Sequence, residues 1–138
     1  MVEIRHRFPI RAPMDRVYLA VTTPAGLNAW WTLTASGSAV VGTEYEFGFG
    51  PGFGWRAVVV QCDGRTVEWE FTVASDDWVG TRVGFTLEGA EVDFWHTGWA
   101  EATPHFRGTS YCWAMYLRLL KRWVEHGEAI PYEQRLEA

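Results

Sequence analysis

The sequence predicts an α+β domain in which a curved antiparallel sheet of six to seven strands wraps around a long C-terminal helix, with two short helices after the first strand. Three observations carry that reading. Hydrophobicity alternates with a period of two from about Ser38 to Ala100, glycine-bearing turns interrupt the alternation, and a helical period takes over after Thr103. A sheet with one apolar face has to cover it, and the last helix is the only segment long enough to do so.

The first strand is VEIRHRFPI, where Ile4, His6, Phe8 and Ile10 share one face and Glu3, Arg5 and Arg7 the other. APMDRVYLAVTTPAGLNAWW then supplies two short helices, with Pro13 able to open one and Pro24 the next. Val17, Ala20 and Val21 form the apolar stripe of the first; Leu27, Trp30 and Trp31 form that of the second. Neighbours on a helix point about 100° apart, so Trp30 and Trp31 are not expected to face inward together: one packs and the other closes the interior.

In the meander, TEYEFGFG sets Tyr45, Phe47 and Phe49 against Glu44 and Glu46, and TVEWEFTV sets Val67, Trp69, Phe71 and Val73 against Glu68, Glu70 and Thr72. TRVGFTLE turns Val83, Phe85 and Leu87 inward. EVDFWHTGWA does the same with Val92, Phe94 and His96, leaving Asp93, Trp95, Thr97 and Trp99 on the outer face. Asp63-Gly64 and Glu88-Gly89 supply hairpin turns. In the tail, Trp113, Leu117, Leu120 and Val124 fall on one helical stripe that Phe106 and Thr109 extend, opposite Arg118, Lys121, Arg122 and Glu125. Thr103 can cap this helix with Pro104 at its first position, although Gly108 allows a later start near Thr109; Gly127 marks its end.

Composition narrows the function. A chain of 138 residues, 48% of them hydrophobic, is sized for one domain spanning 1–138. A net charge of -5 opposes the basic footprint that nucleic-acid binding requires. No apolar run reaches the roughly 20 residues of a membrane helix, and the charged amino terminus is unlike a signal peptide, so a cytoplasmic location is expected. Cys62 and Cys112 read as free thiols. Nine tryptophans are an unusual number, because aromatic side chains bury large areas and also make good walls for flat or apolar ligands.

Four phrases, IRAPMDRVYLAVTTPAGLNAWW (10–31), VEWEF (67–71), HTGW (96–99) and CWAMYLRLLKRWVEHGEAIP (112–131), occur in an order and spacing that resemble the heat-shock-protein-90 ATPase activator-like family. That family lies within the START-like, or SRPBCC, superfamily, whose helix-grip fold also includes polyketide cyclases and the birch-pollen allergen. The resemblance implies a hollow between sheet and long helix, used across the superfamily for lipids, sterols, polyketides and plant hormones. Carriers, cyclases, dehydratases, sensors and a co-chaperone share it, so function rests on the site.

On that reading the cavity candidates come from every element. Trp31 lies on the second short helix; Phe47, Trp69, Phe71, Phe85, Phe94 and His96 lie on inward strand positions; Trp113 and Tyr116 lie on the long helix. Phe49, Phe53, Trp55 and the Asp76-Asp77-Trp78 turn are candidates for the rim. His96 could be a hydrogen-bonded structural residue, a contact to ligand or a general base. A base needs an orienting partner, and Asp93 lies on the opposite face. His6 shares the apolar face of strand one and reads as core, whereas His105 and His126 read as solvated.

Other chemistries find little support in the chain. GFGPGFGW is followed by a strand, not by the helix that a phosphate-cradling loop needs. Ser110 and Cys112 lack a nucleophile elbow. No His, Cys, Asp or Glu spacing matches a metal site, including His96 with His105, so neither metal nor other cofactor is expected.

The preferred function is binding of an apolar or aromatic small molecule, lipid- or polyketide-like, with His96 or Tyr116 as polar anchors. A cyclase- or dehydratase-like enzyme using the same cavity is the alternative, limited by the few polar groups at hand and with no catalytic residue assigned. A co-chaperone role is suggested by the family's name alone, and a chaperone partner is not expected because the eukaryotic activator carries a further amino-terminal domain. Outward Trp95 and Trp99 would form an apolar patch suited to a homodimer.

Overall fold

A computed structural model of the protein describes residues 2–51 and 54–137. Strand β1 (Val2–Pro9) is followed by helices α1 (Met14–Thr22) and α2 (Pro24–Trp30). Strands β2 (Thr34–Ser36), β3 (Glu44–Gly48), β4 (Gly54–Cys62), β5 (Thr66–Val73), β6 (Arg82–Glu88) and β7 (Glu91–Trp99) then lead to helix α3 (Pro104–His126) and a 3-10 turn over Tyr132–Glu137. The strands form one antiparallel sheet of order β1-β7-β6-β5-β4-β3-β2. Both the α+β class and the strand number agree with the sequence, although β2, a three-residue edge strand, precedes the alternating region and escapes it.

The caps set where the helices begin. Thr23 accepts a hydrogen bond from the Gly26 N–H at 3.0 Å and Pro24 opens α2. Thr103 accepts from the Phe106 N–H at 3.1 Å, so α3 starts at Pro104 and Gly108 sits inside its exposed first turns. Gly127 ends α3 in the left-handed conformation, φ 69°. α3 buries Thr109, Trp113, Leu117, Leu120 and Val124, the predicted stripe, together with Leu119.

Period-two parity holds across most of the sheet: Tyr45, Phe47, Val67, Trp69, Phe71, Val83, Phe85, Leu87, Val92, Phe94 and His96 are all buried. Register shifts interrupt it at three places, and two of these overturn expected positions. Between β1 and β7, Val2 pairs with Trp99 and Ile4 with His96, so two steps along one strand face three along the other. Gly98, at φ 89°, takes up the extra residue and turns Trp99 to the inner face, where it is 1% exposed. The expected outward position of Trp99 is thereby corrected. Similarly, Arg56 pairs with Val73 but Ala57 with Phe71, and Val73 is exposed where inward packing was expected.

A third correction concerns α2. Trp30 and Trp31 are both buried, with rings stacked at 6.0 Å. The helix ends at Trp30, and Trp31 leaves helical geometry at φ -125°, ψ -64°, so the 100° rule no longer separates the two side chains. The C-terminal turn also belongs to the body of the fold. Arg135 is 4% exposed and donates to the carbonyls of Ile130, Thr32 and Asn28 at 2.9, 3.1 and 2.6 Å.

Candidate ligand-binding interior

The concave face of the sheet, the end of α2 and the buried stripe of α3 bring the predicted aromatic residues together as one continuous set of rings. Trp31 lies 4.9 Å from both Phe47 and Trp113, centroid to centroid. Phe94 lies 4.7 Å from Trp113 and 5.1 Å from Phe85, and Trp69 meets Phe47 edge-on at 5.7 Å. Tilted and edge-to-face contacts dominate, as ring quadrupoles favour. Tyr116 is half-buried at the border of the set, 6.5 Å from Trp113, and burial raises its hydroxyl above the ordinary value.

A ladder of rings leads inward from the β3–β4 turn. Half-buried Phe49 and Trp55 are 5.4 Å apart; Trp55 is 4.6 Å from Trp78, and Trp78 is 4.5 Å from His96. Trp78, read from sequence as a rim residue beside Asp76 and Asp77, is 6% exposed and belongs to the interior. Asp77 reaches the start of α3 instead, accepting a 2.7 Å hydrogen bond from His105 Nδ1. Gly52, of the GFGPGFGW segment, and the rim position Phe53 lie outside the described residues.

His96 is fully buried at the centre of a directional chain. Trp113 Nε1–H, a donor only, points to His96 Nδ1 at 3.1 Å, which assigns the imidazole proton to Nε2. Nε2–H then donates to Thr81 Oγ1 at 2.8 Å, and the Thr81 hydroxyl donates to the Trp78 carbonyl at 2.6 Å. Burial pushes His96 down from 6.5 to about 3, so the ring stays neutral. Both nitrogens are engaged within the protein, and the ring can neither take a proton from a ligand nor donate to one without breaking this chain. Thr81 was not singled out from sequence, where it has the look of an ordinary strand-edge threonine.

Apart from His6 Nε2 on β1, the buried side-chain polar groups left unmet among the described residues are of one kind. Tyr45 donates to the Thr22 carbonyl at 2.7 Å and Trp30 to the Ala20 carbonyl at 2.9 Å. Trp69, Trp78 and Trp99, by contrast, have buried Nε1–H groups with no hydrogen-bond partner among the described residues. An unmet buried donor costs roughly 1–3 kcal/mol. Trp78 and Trp99 are adjacent, 6.1 Å apart. Two hollows border this region: one of about 500 Å³ beside β2, β3 and β4, with Phe47 and Trp55 in its lining, and one of about 460 Å³ between β1 and α3.

A curved antiparallel sheet gripping a long terminal helix over a ring-lined interior defines a START-like, SRPBCC-type protein of the helix-grip fold. Within that class the chain belongs to the Aha1-like family: it is 36% identical to the Aha1 dimer from Colwellia psychrerythraea, with a TM-score of 0.83 over 92% of this chain and 98% of that one. DynU16, a protein of the dynemicin biosynthetic locus, shares the fold at 22% identity and TM-score 0.76, over 92% of this chain and 48% of that one. CalU16 from Micromonospora echinospora does so at 22% identity and TM-score 0.67, over 98% and 83%. No protein-family model and no curated protein sequence matches the chain. No helix among the described residues is long and apolar enough to cross a membrane.

Proposed function

We propose that the protein binds an apolar or aromatic small molecule between its sheet and α3, and that the polar group of this ligand is a hydrogen-bond acceptor such as a ketone, quinone or ester oxygen. The observation that carries this reading is the set of unmet donors, Trp69, Trp78 and Trp99, within the aromatic interior. Donors alone recognise an acceptor. The ladder from Phe49 and Trp55 to Trp78 supports an approach from the β3–β4 end, where rings are half-exposed. The walls are the residues named from sequence, and the anchors are indole N–H groups, since His96 is engaged elsewhere.

Binding is favoured over turnover because the titratable group at the centre of the interior is held neutral and saturated. A homodimer is supported by the dimeric Colwellia relative, though not by the patch foreseen from sequence. Trp99 is buried, and Trp95 lies over Gly84 with its Nε1–H on Glu68 at 2.6 Å.

Benzophenone and diphenylmethane, which differ by one carbonyl, provide the test. Benzophenone should shift the indole N–H resonances of Trp78 or Trp99 and bind more tightly than diphenylmethane. Silence of the interior indoles toward both compounds at millimolar concentration, or indole protons shifted upfield because they already rest on ring faces, would remove the basis of this reading.

A further inference from the structure

Strand β1 forms one edge of the sheet, and its main chain shows which residues face outward. The Ile10 N–H bonds to the Ala90 carbonyl at 2.8 Å, so Ile4, His6 and Phe8, in step with Ile10, turn their main-chain groups toward β7. Glu3, Arg5, Arg7 and Pro9 turn theirs to the open side. At the far end α3 caps that side: Lys121 Nζ donates to the Pro9 carbonyl at 2.8 Å, and just past the strand the Arg11 N–H donates to Glu125 at 2.8 Å. The main-chain groups of Glu3, Arg5 and Arg7 have no such partner among the described residues. The opposite edge, β2, has three residues against the eight of β1, so the long open edge is that of β1.

An exposed aromatic side chain stands beside this uncapped stretch. α3 runs along β1 in the same direction, since Pro9 meets Lys121 and Arg11 meets Glu125. Ala114 and His6 both line the hollow between the two elements. Tyr111 precedes Ala114 on that row of the helix. It lies ten residues before Lys121, which is about 15 Å along the axis, or roughly four to five residues of strand. Tyr111 is therefore level with Ile4 and Arg5, and at 80% it is the most exposed large hydrophobic side chain among the described residues.

An open edge can accept an identical strand, and charge then selects the register. Antiparallel pairing has to match outward main-chain groups with outward ones. With Arg5 opposite Arg5 of the second copy two guanidiniums meet, and with Arg5 opposite Arg7 four do. The register centred on Ile4 instead sets Glu3 opposite Arg5 on both sides of the axis and satisfies the main-chain groups of both. Glu3 and Arg5 now pair with each other at 2.7 Å within one chain, on the exposed face, so they can exchange partners across the seam. Arg7 falls outside this register, held by Glu91 and Asp93 of its own chain.

We propose that two copies of the chain join through the 2–6 stretch of β1, antiparallel about an axis at Ile4, with Glu3 of each on Arg5 of the other and both Tyr111 rings covering the seam. This rests on the homodimer reading above and gives that dimer its surface. A seam this short makes a weak dimer, with a dissociation constant on the order of 0.1 mM.

The experiment is sedimentation equilibrium of the full chain from micromolar to millimolar concentration, with amide resonances and hydrogen exchange followed over the same range. As the dimer forms, shifts should gather at Glu3, Ile4, Arg5 and Tyr111, and exchange of the Glu3 and Arg5 N–H groups should slow. Arg5→Glu, a change at an exposed position, should weaken the dimer about tenfold or more. Adding Glu3→Arg to it should restore the dimer, because the Ile4-centred register exchanges these two charges and the others do not. A chain that stays monomeric at millimolar concentration overturns this proposal and the homodimer together. A dimer that Arg5→Glu leaves intact, that the double variant fails to restore, or whose shifts fall elsewhere keeps the homodimer and overturns this surface.

Discussion

Trp113 Nε1 and His96 Nδ1 meet at 3.1 Å in the centre of the protein, and this one bond decides which nitrogen of the imidazole carries its proton. Thr81 Oγ1 accepts the hydrogen bond from that N–H on the other side. Thr81→Val keeps the shape and removes the acceptor, leaving a buried N–H unmet. Urea unfolding should show a loss of about 1–3 kcal/mol, with Thr81→Ser recovering most of it. An unchanged midpoint for Thr81→Val would show that the chain adds nothing to stability.

The same residue predicts a pH response. The folded value of His96 lies near 3 and its ordinary value is 6.5, so between these limits the unfolded chain binds the extra proton and stability is lost as pH falls. Above pH 6.5 the effect vanishes. From pH 7 to pH 5 the loss should be about 2 kcal/mol, at about 1.4 kcal/mol per unit once fully under way. Comparing this slope with that of His96→Gln isolates the residue from the other histidines, and equal slopes would contradict the assignment.

Gly98→Ala should cost roughly 1 kcal/mol or more, because φ 89° is strained for any residue with a Cβ. The near-ultraviolet dichroism of the variant should also change, since Gly98 is what directs Trp99 inward. A variant as stable as the parent, with unaltered dichroism, would show that the bulge is not required.

Arg135→Met should destabilise by about 2–3 kcal/mol, having removed donors to three backbone carbonyls. Thermal unfolding is a sufficient measure. Arg135→Lys should recover only part, because an ammonium cannot reproduce the guanidinium fork.

Strand parity was legible wherever the ladder is regular, because side chains alternate strictly and each inward residue announces its neighbours two positions away. Trp99 and Val73 were misplaced for one shared reason: a bulge adds a residue that only the partner strand reveals. The glycine at 98 was the available signal. Trp31 was misplaced because a helix rule was carried one residue past the helix. Arg135 lies in a polar tail whose composition says nothing about the carbonyls waiting for it. The capping of the β1 edge was hidden because its parts are more than a hundred residues apart, and Lys121 and Glu125 looked like an ordinary solvated face.

The ladder of rings has an optical consequence. Trp78 lies 4.6, 6.1 and 6.2 Å from Trp55, Trp99 and Trp113, close enough for the electronic transitions of the four indoles to mix. Excitation absorbed by one indole should migrate among the others before emission, giving low polarisation and paired dichroism bands of opposite sign. The protein would then glow as one extended chromophore, and a disturbance at any rung would recolour the whole.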